Sequence, residues 1–279
     1  MKKKLIYLLF TLSFLSVSCS EEDEPIQENP SVENPDSEVD TPEDKTEVQH
    51  VVITAFVDSK FTLPSGTRCE AEFYDASGNI LDCEKTLAAA SEHSFNIGAK
   101  LDKGKQYTCL LWFDNGQYGY DISEGLRCIR MSTKPALAFY GKLSFNSDIS
   151  KYELEMKPAV AQVILKLKEH MQTGNGLFSF SEDTPVKYVF DVSAGTVVST
   201  DAVYIPKTVF LLNNIGKVAE LYTFVPDGGM NVNLRVDYDG KSSVIEDVML
   251  QKGYATTLEG DIENMTFSVT ATSDIQQDL

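Results

Sequence analysis

The sequence predicts an all-β protein, and three observations lead to this expectation. Apolar and polar side chains alternate with a period of two residues, whereas an amphipathic helix repeats every 3.6 residues. Clusters of Asp, Asn, Gly and Ser separate the alternating segments, as at positions 75–79, 114–116 and 227–229. The segments are short and numerous, which is typical of a β-sandwich. We therefore expect sandwich architecture after an amino-terminal segment of different character.

The amino terminus has the features of an export signal. Lys2, Lys3 and Lys4 precede an apolar run at positions 5–17. This run is too short for a membrane-spanning helix, which needs about 20 apolar residues. A basic start, a short apolar core and a small residue at Ser18 predict a signal peptide over residues 1–18.

Cys19 follows the signal directly and resembles the acylated cysteine of the bacterial lipoprotein lipobox. Leu15 lies one position further from the cysteine than the usual lipobox leucine, because Ser16 occupies that place. Acyl chains on Cys19 would hold the protein on the outer membrane, since each buried methylene contributes about 0.8 kcal/mol. The alternative is an ordinary secretory signal that is cut near Ser18.

An acidic segment follows Cys19, and its start at Ser20–Glu24 resembles the signal that sends Bacteroidota lipoproteins to the outer face of the outer membrane. These acids are also what a solvated linker would contain. From Ser20 to Gln49 there are twelve acidic residues and one basic residue, Lys45. With four prolines as well, residues 19–49 are expected to form a disordered, extended linker.

The net charge argues against nucleic acid as a partner. The linker carries −11 and the chain from His50 onward has 30 acidic against 20 basic residues, or −10. A protein that binds nucleic acid needs a basic surface. The acidity is better explained by solubility and by the linker.

Two segments show the alternation most clearly, at Thr67–Tyr74 and Asn231–Tyr238. Asp239-Gly240 follows the second segment and predicts a type I′ hairpin turn, leading into a strand at Lys241–Leu250. A helix of one or two turns is considered at Lys166–Met171. Further strands are expected at Val51–Val57, Gln106–Phe113, Ala138–Phe145, Val160–Leu167, Val186–Val192, Thr208–Leu212, Ala219–Val225, Tyr254–Ile262 and Met265–Ala271.

Four further cysteines lie in the first half of the chain: Cys69, Cys83, Cys109 and Cys128. Four cysteines allow three pairings, which the sequence does not distinguish. Cys69 and Cys83 are nearly symmetric about Ala76–Ser77 and could face each other across a hairpin. The alternative is that the cysteines pack as small buried apolar residues.

No catalytic, cofactor or metal motif is evident, and we expect no enzymatic activity and no cofactor. His50, His93 and His170 are widely spaced, and the sequence lacks the common zinc, thiol-redox and serine-hydrolase signatures. Asp114, Asn115 and Asp121 could contact calcium, but an ordinary turn explains them better.

The order of four stretches resembles the fimbrillin-like (Mfa-like) surface lipoproteins of the Bacteroidota, which are related to the subunits of type V pili. The stretches lie at positions 62–81, 103–123, 136–167 and 222–262, and they span most of the chain after the linker. The resemblance implies two transthyretin-like β-sandwich domains, at residues 50–156 and 157–279. It also implies a function in pilus assembly, pilus anchoring or cell adhesion.

Pilus subunits of this kind are cut after an arginine, which frees a groove that a strand of a neighbouring subunit fills. The linker of this chain has no arginine, and Arg68 is the first one. This departure favours a subunit that keeps its lipid, as an anchor or a stand-alone surface protein, or a protease of another specificity. Other fimbrillin-like subunits are the expected protein partners.

An alternative function is a stand-alone lipoprotein that binds a glycan or another host ligand. Its basis is a group of aromatic residues that could stack on sugars, although most of them are expected to belong to the core. The group comprises Trp112, Phe113, Tyr118, Tyr120, Phe139 and Tyr140.

Overall fold

The computed structural model describes residues 46–63, 65–115, 119–168, 174–212 and 216–275, without the side chains of residues 216–217. Within these ranges the chain forms twenty β-strands and no α-helix. No helix there is long and apolar enough to cross a membrane. Cys19, the signal peptide and the linker up to Lys45 lie outside the described residues.

The first sandwich consists of two four-stranded sheets. Its strands are β1 Val48–Phe56, β2 Arg68–Asp75, β3 Lys85–Ser91, β4 Ser94–Asp102, β5 Gln106–Asp114, β8 Phe139–Asn146, β9 Lys151–Glu155 and β10 Lys157–Pro158, with a small ribbon of β6 Tyr120–Asp121 and β7 Arg130–Met131. One sheet has the order β3-β4-β1-β9 and the other the order β10-β8-β5-β2. Alternating apolar side chains from both sheets meet between them.

The second sandwich repeats this arrangement with two further four-stranded sheets. Its strands are β11 Ala161–Leu167, β12 Asn175–Phe180, β15 Lys207–Leu211, β16 Gly216–Thr223, β17 Met230–Tyr238, β18 Lys241–Leu250, β19 Tyr254–Asp261 and β20 Thr266–Asp274, with a ribbon of β13 Val186–Asp191 and β14 Thr196–Tyr204. The sheet orders are β16-β11-β19-β20 and β15-β12-β17-β18. The all-β, two-sandwich fold is therefore confirmed.

The predicted hairpin at Asp239-Gly240 is also confirmed. Asp239 has φ 48° and Gly240 has φ 71°, which are the positive values that a type I′ turn needs. Tyr238 and Lys241 pair directly across this turn. The turn thus sets the register of β17 and β18.

The helix predicted around Lys166–Met171 is wrong at its start. Lys166 and Leu167 form the end of β11, where they pair with β16 and β19. Residues 169–171 lie outside the described part of the chain. The strand prevails because Leu165 and Leu167 both point into the core of the second sandwich.

A third apolar cluster joins the two sandwiches, which belong to one compact unit. Leu110 and Trp112 of the first sandwich pack there with Phe190 and Phe224 of the second. The predicted domain boundary at Lys157 stays a prediction; the structure pairs Lys157 and Pro158 with β8 of the first sandwich.

Candidate functional site

The strand with the greatest functional interest is β1, because it is inserted between two strands of its own sandwich. It pairs antiparallel with β4 along its whole length, from Val48–Asp102 to Phe56–Ser94. It also pairs parallel with β9, from Val52–Lys151 to Phe56–Glu155. The carboxyl-terminal half of β1 is therefore hydrogen-bonded on both edges.

Alternate side chains of β1 fill the core of the first sandwich. Val51, Ile53 and Ala55 are all 0% exposed, and Val57 just after the strand is 2% exposed. Burying a Val or Ile side chain contributes about 1.5–3 kcal/mol. The strand therefore stabilises the sandwich through its side chains as well as through its backbone.

Contacts at both ends fix the position of β1. Before the strand, the Glu47 carbonyl accepts a hydrogen bond from the Lys103 amide at 2.8 Å. The Lys103 ammonium donates to the Glu47 carboxylate at 2.9 Å, and this hydrogen bond raises the pKa of Lys103. At the other end, the Phe56 carbonyl accepts from the Met156 amide at 2.7 Å.

This geometry is that of a strand seated in a groove. Without β1, the facing edges of β4 and β9 would lose their backbone partners, and apolar core would be exposed between them. A different strand with apolar residues at alternate positions could fill the same groove by strand addition. The arrangement thus provides a means of joining two protein chains and requires no catalytic group.

Lys60 lies on the segment between β1 and β2, a position the sequence analysis did not consider. Its side chain is 38% exposed, with the ammonium 3.6 Å from an Asp274 carboxylate oxygen. The interest of Lys60 depends on where β1 ends, which local sequence patterns do not show. Lys45, the one basic residue of the linker, lies outside the described residues.

Arg68 has a structural position at the start of β2. Its guanidinium donates to the Asp114 carboxylate at 2.6 and 3.2 Å. The Asp114 side chain is 1% exposed and also accepts from the Trp112 indole N–H at 2.5 Å. Because Arg68 holds a buried carboxylate and pairs with Asp114 in the β2–β5 ladder, it is poorly placed for proteolysis.

Most of the aromatic residues of the predicted ligand platform lie in the interior. The platform interpretation is therefore wrong, and four of these residues are confirmed as core residues. Trp112 is 0% exposed and contacts the rings of Tyr120, Phe190 and Phe224 at centroid distances of 5.2, 5.8 and 6.4 Å. The other buried members are Phe113, Tyr120 and Phe139.

The remaining members of this aromatic group do not restore a platform. Tyr140 is half-buried, and Tyr118 lies outside the described residues. Burial at the junction of the sandwiches raises the pKa of Tyr120 well above its ordinary value, and its hydroxyl donates to the Ala136 carbonyl. The sequence did not show this junction, because its other half comes from residues far along the chain.

All four described cysteines are free thiols. Cys69 and Cys83 therefore form no disulfide, and Cys69 pairs with Phe113 of β5 in the sheet. Burial raises the pKa of Cys69 to about 12, and that of Cys109 is also raised by burial. The interpretation of these two residues as buried apolar side chains is confirmed.

Within the described residues, neither His50 and His93 nor the acidic turn forms a metal site. The His93 ring nitrogen Nδ1 lies 2.6 Å from the Phe61 carbonyl, and His50 is exposed on β1. Asp121 accepts a hydrogen bond from the Ser123 amide within its own turn. In the described ranges no group of three His, Cys, Asp or Glu side chains could hold a metal ion. His170 lies outside those ranges.

Comparison with solved structures supports the fold. A protein from Bacteroides ovatus, described as a candidate cell adhesion protein, matches 83% of this chain and 100% of its own, with a TM-score of 0.56 and 12% identity. A candidate cell adhesion protein from Bacteroides uniformis matches 81% of this chain and 98% of its own, with a TM-score of 0.51 and 12% identity. At such identities the likeness shows the fold alone. No family model and no curated protein matches the sequence.

Proposed function

We propose that this chain is a fimbrillin-like surface lipoprotein, anchored to the outer membrane through acyl chains on Cys19, that acts in adhesion or pilus assembly. The observation that carries the proposal is β1, which lies between β4 and β9 with alternate side chains in the core. The two solved neighbours support it because each is described as a candidate cell adhesion protein with this fold. With four of the six aromatic residues buried, no observation on the described residues favours the glycan-binding alternative.

The positions of the lysines define two different cleavage products. A cut after Lys45 would remove the lipidated linker and leave β1 in its groove, because β1 begins at Val48. A cut after Lys60 would sever β1 from β2 and allow β1 to leave. We therefore assign Lys60 as the site where proteolysis would make the subunit an acceptor, and an uncut subunit as an anchor or a lone adhesin.

Unboiled extracts of native cells, separated on a denaturing gel and probed with an antibody, test strand exchange. Contacts between subunits that consist of many main-chain hydrogen bonds and buried side chains should resist detergent until they are heated. We expect a ladder of polymer bands that collapses to the monomer on boiling. The ladder should be lost in Lys60→Ala and persist in Lys45→Ala. A single monomer band in wild-type cells would exclude strand exchange.

The lipid anchor is tested separately with Cys19→Ala. This variant should lose incorporation of labelled fatty acid and leave the membrane fraction. Protease added to intact cells should digest the wild-type protein if it faces outward. Retention of Cys19→Ala in washed membranes would contradict the anchor without bearing on β1.

A further inference from the structure

We propose that the open edge of β15 and the cleft beside it bind residues 36–41 of a second copy of this chain as an added strand. This site lies in the second sandwich and is distinct from the β1 groove. It requires no cleavage and applies to uncut copies, because a cut after Lys45 or Lys60 would separate residues 36–41 from the fold.

Among the described residues, the backbone of β15 is paired on one side only, because its one neighbour in the sheet is β12. The Leu212 amide donates to the Gly174 carbonyl at 3.0 Å and the Phe180 amide to the Pro206 carbonyl at 2.9 Å. In an antiparallel pair the bonded positions alternate, so residues 206, 208, 210 and 212 face β12. The N–H and C=O groups of Lys207, Val209 and Leu211 therefore point to the open edge.

This edge lacks the features that protect other edges of the molecule. On β18, a register shift and Asp247 with φ 57° distort the edge. On β9, charged side chains occupy alternate positions. In contrast, β15 pairs with β12 without a shift and exposes Val209 by 65% and Leu211 by 51%. A regular, apolar open edge is a template for another strand.

A cleft of about 830 Å³ adjoins this edge. Pro135, Ala136 and Leu221 give it apolar walls, and Lys134 and Lys207 bring positive charge to it, with Glu220 as the one acidic residue of its lining. Two lysines against one glutamate differ in sign from the fold as a whole, which carries −10 from His50 onward. The cleft therefore fits an extended segment with one apolar side chain and flanking carboxylates.

Residues 36–41, Asp-Ser-Glu-Val-Asp-Thr, have this character. In an extended conformation the three acidic residues at 36, 38 and 40 project to one side, and Ser37, Val39 and Thr41 to the other. Pro35 and Pro42 bound the segment, so all six of its residues can donate backbone hydrogen bonds. Added to β15 with Val39 toward the cleft, the segment would place carboxylates beside Lys207.

The distances along the fold favour a second copy as the source. Val48 pairs with Asp102 at the end of the first sandwich where β5 begins, whereas Asn115 of the cleft follows the far end of β5. A strand of this length spans about 30 Å. The nine residues from Val39 to Val48 reach about 32 Å only when pulled straight. A second copy meets no such constraint.

Photo-crosslinking of the mature chain tests the proposal. A benzophenone amino acid replaces Val39, and ¹⁵N-labelled and unlabelled copies are mixed before irradiation. We expect crosslinks to peptides containing Thr208, Val209 or Leu221, with both isotopes in the same crosslinked species. Crosslinks confined to a single chain, or directed elsewhere, would overturn the proposal.

Two pairs of variants separate backbone pairing from side-chain effects. Val209→Pro removes one outward N–H and leaves the ladder with β12 intact, so it should abolish the crosslink, whereas Val209→Ala should retain it. Lys207→Glu changes an exposed side chain and should lower the crosslink yield about fivefold. Glu38→Lys together with Asp40→Lys in the partner copy should restore the crosslink yield. Equal yields for Val209→Pro and Val209→Ala, or no rescue, would refute strand addition at β15.

Discussion

The strands β1 and β15 have similar residues and opposite surroundings. Both contain β-branched residues and one phenylalanine, and each belongs to one sheet of a sandwich. Yet β1 is paired on both edges over Val52–Phe56, whereas β15 is paired with described residues on one edge only. Strand propensity therefore says little about whether a strand completes its own sheet or offers an edge to another chain.

The same contrast separates their apolar side chains. Ile53 of β1 is fully buried, and Val209 of β15 is 65% exposed. In β1 the side chains contribute to the stability of the chain itself. In β15 the outward side chains contribute little to folding and remain available to a partner.

The largest expected effect comes from placing a carboxylate in each strand. Ile53→Asp should cost more than about 5 kcal/mol, or prevent folding, because it buries an unpaired charge in the core. Val209→Asp should change the free energy of unfolding by less than about 0.5 kcal/mol, since its side chain lies in water. Urea unfolding measures both, and comparable losses in the two variants would contradict the described positions of β1 and β15.

A second contrast involves two Arg–Asp pairs, one in each sandwich. Asp114→Ala should cost about 3–5 kcal/mol, because it leaves Arg68 and the Trp112 N–H without their buried acceptor. Asp237→Ala breaks the pair in which Arg235 donates at 2.8 Å, and this exposed pair is worth at most about 1 kcal/mol. Thermal and urea unfolding of the two variants gives the comparison. A loss below about 1 kcal/mol for Asp114→Ala would mean that the junction does not depend on this carboxylate.

Sequence reasoning found the strands that alternate and bury one face, and it missed strands with other patterns. It missed β4, where Gly98 interrupts the apolar run because a side chain there would lie 2.6 Å from the Thr86 hydroxyl. It missed β12, which starts with Asn175-Gly176, a pair typical of turns, and β3, which is exposed along its whole length. In these strands tertiary contacts override the local pattern.

The candidate sites were less accessible to sequence reasoning than the strands were. The edge of β15 depends on sheet order, and sheet order depends on pairings between distant residues. The burial of Trp112 depends on Phe190 and Phe224, which lie about 80 and 110 positions later in the sequence. Neither property is encoded within a window of local sequence.

A smaller effect is expected at the hairpin that sets the register of β17 and β18, two strands of the same sheet as β15. Gly240→Ala should cost about 1 kcal/mol, because an L side chain is strained at φ 71°. Asp239→Asn should be within about 0.5 kcal/mol of wild type, since Asn tolerates the left-handed region. Chemical unfolding measures both, and a neutral Gly240→Ala would show that the turn can rearrange without loss of register.

The smallest effect concerns pH and distinguishes the first sandwich, which holds all four described cysteines, from the second. The pKa of Cys69 is raised by burial from 9.0 to about 12, so the folded state keeps the neutral thiol while the unfolded state ionises. Above pH 9 the folded chain therefore binds more protons than the unfolded chain, and stability falls as pH rises toward 12. At pH 9.5 this one thiol should cost roughly 0.8 kcal/mol relative to pH 7. Cys69→Ala should reduce the loss of stability at alkaline pH, measured by urea unfolding, by that amount. If Cys69→Ala and the wild type have equal pH profiles, the thiol remains hydrated in the folded state.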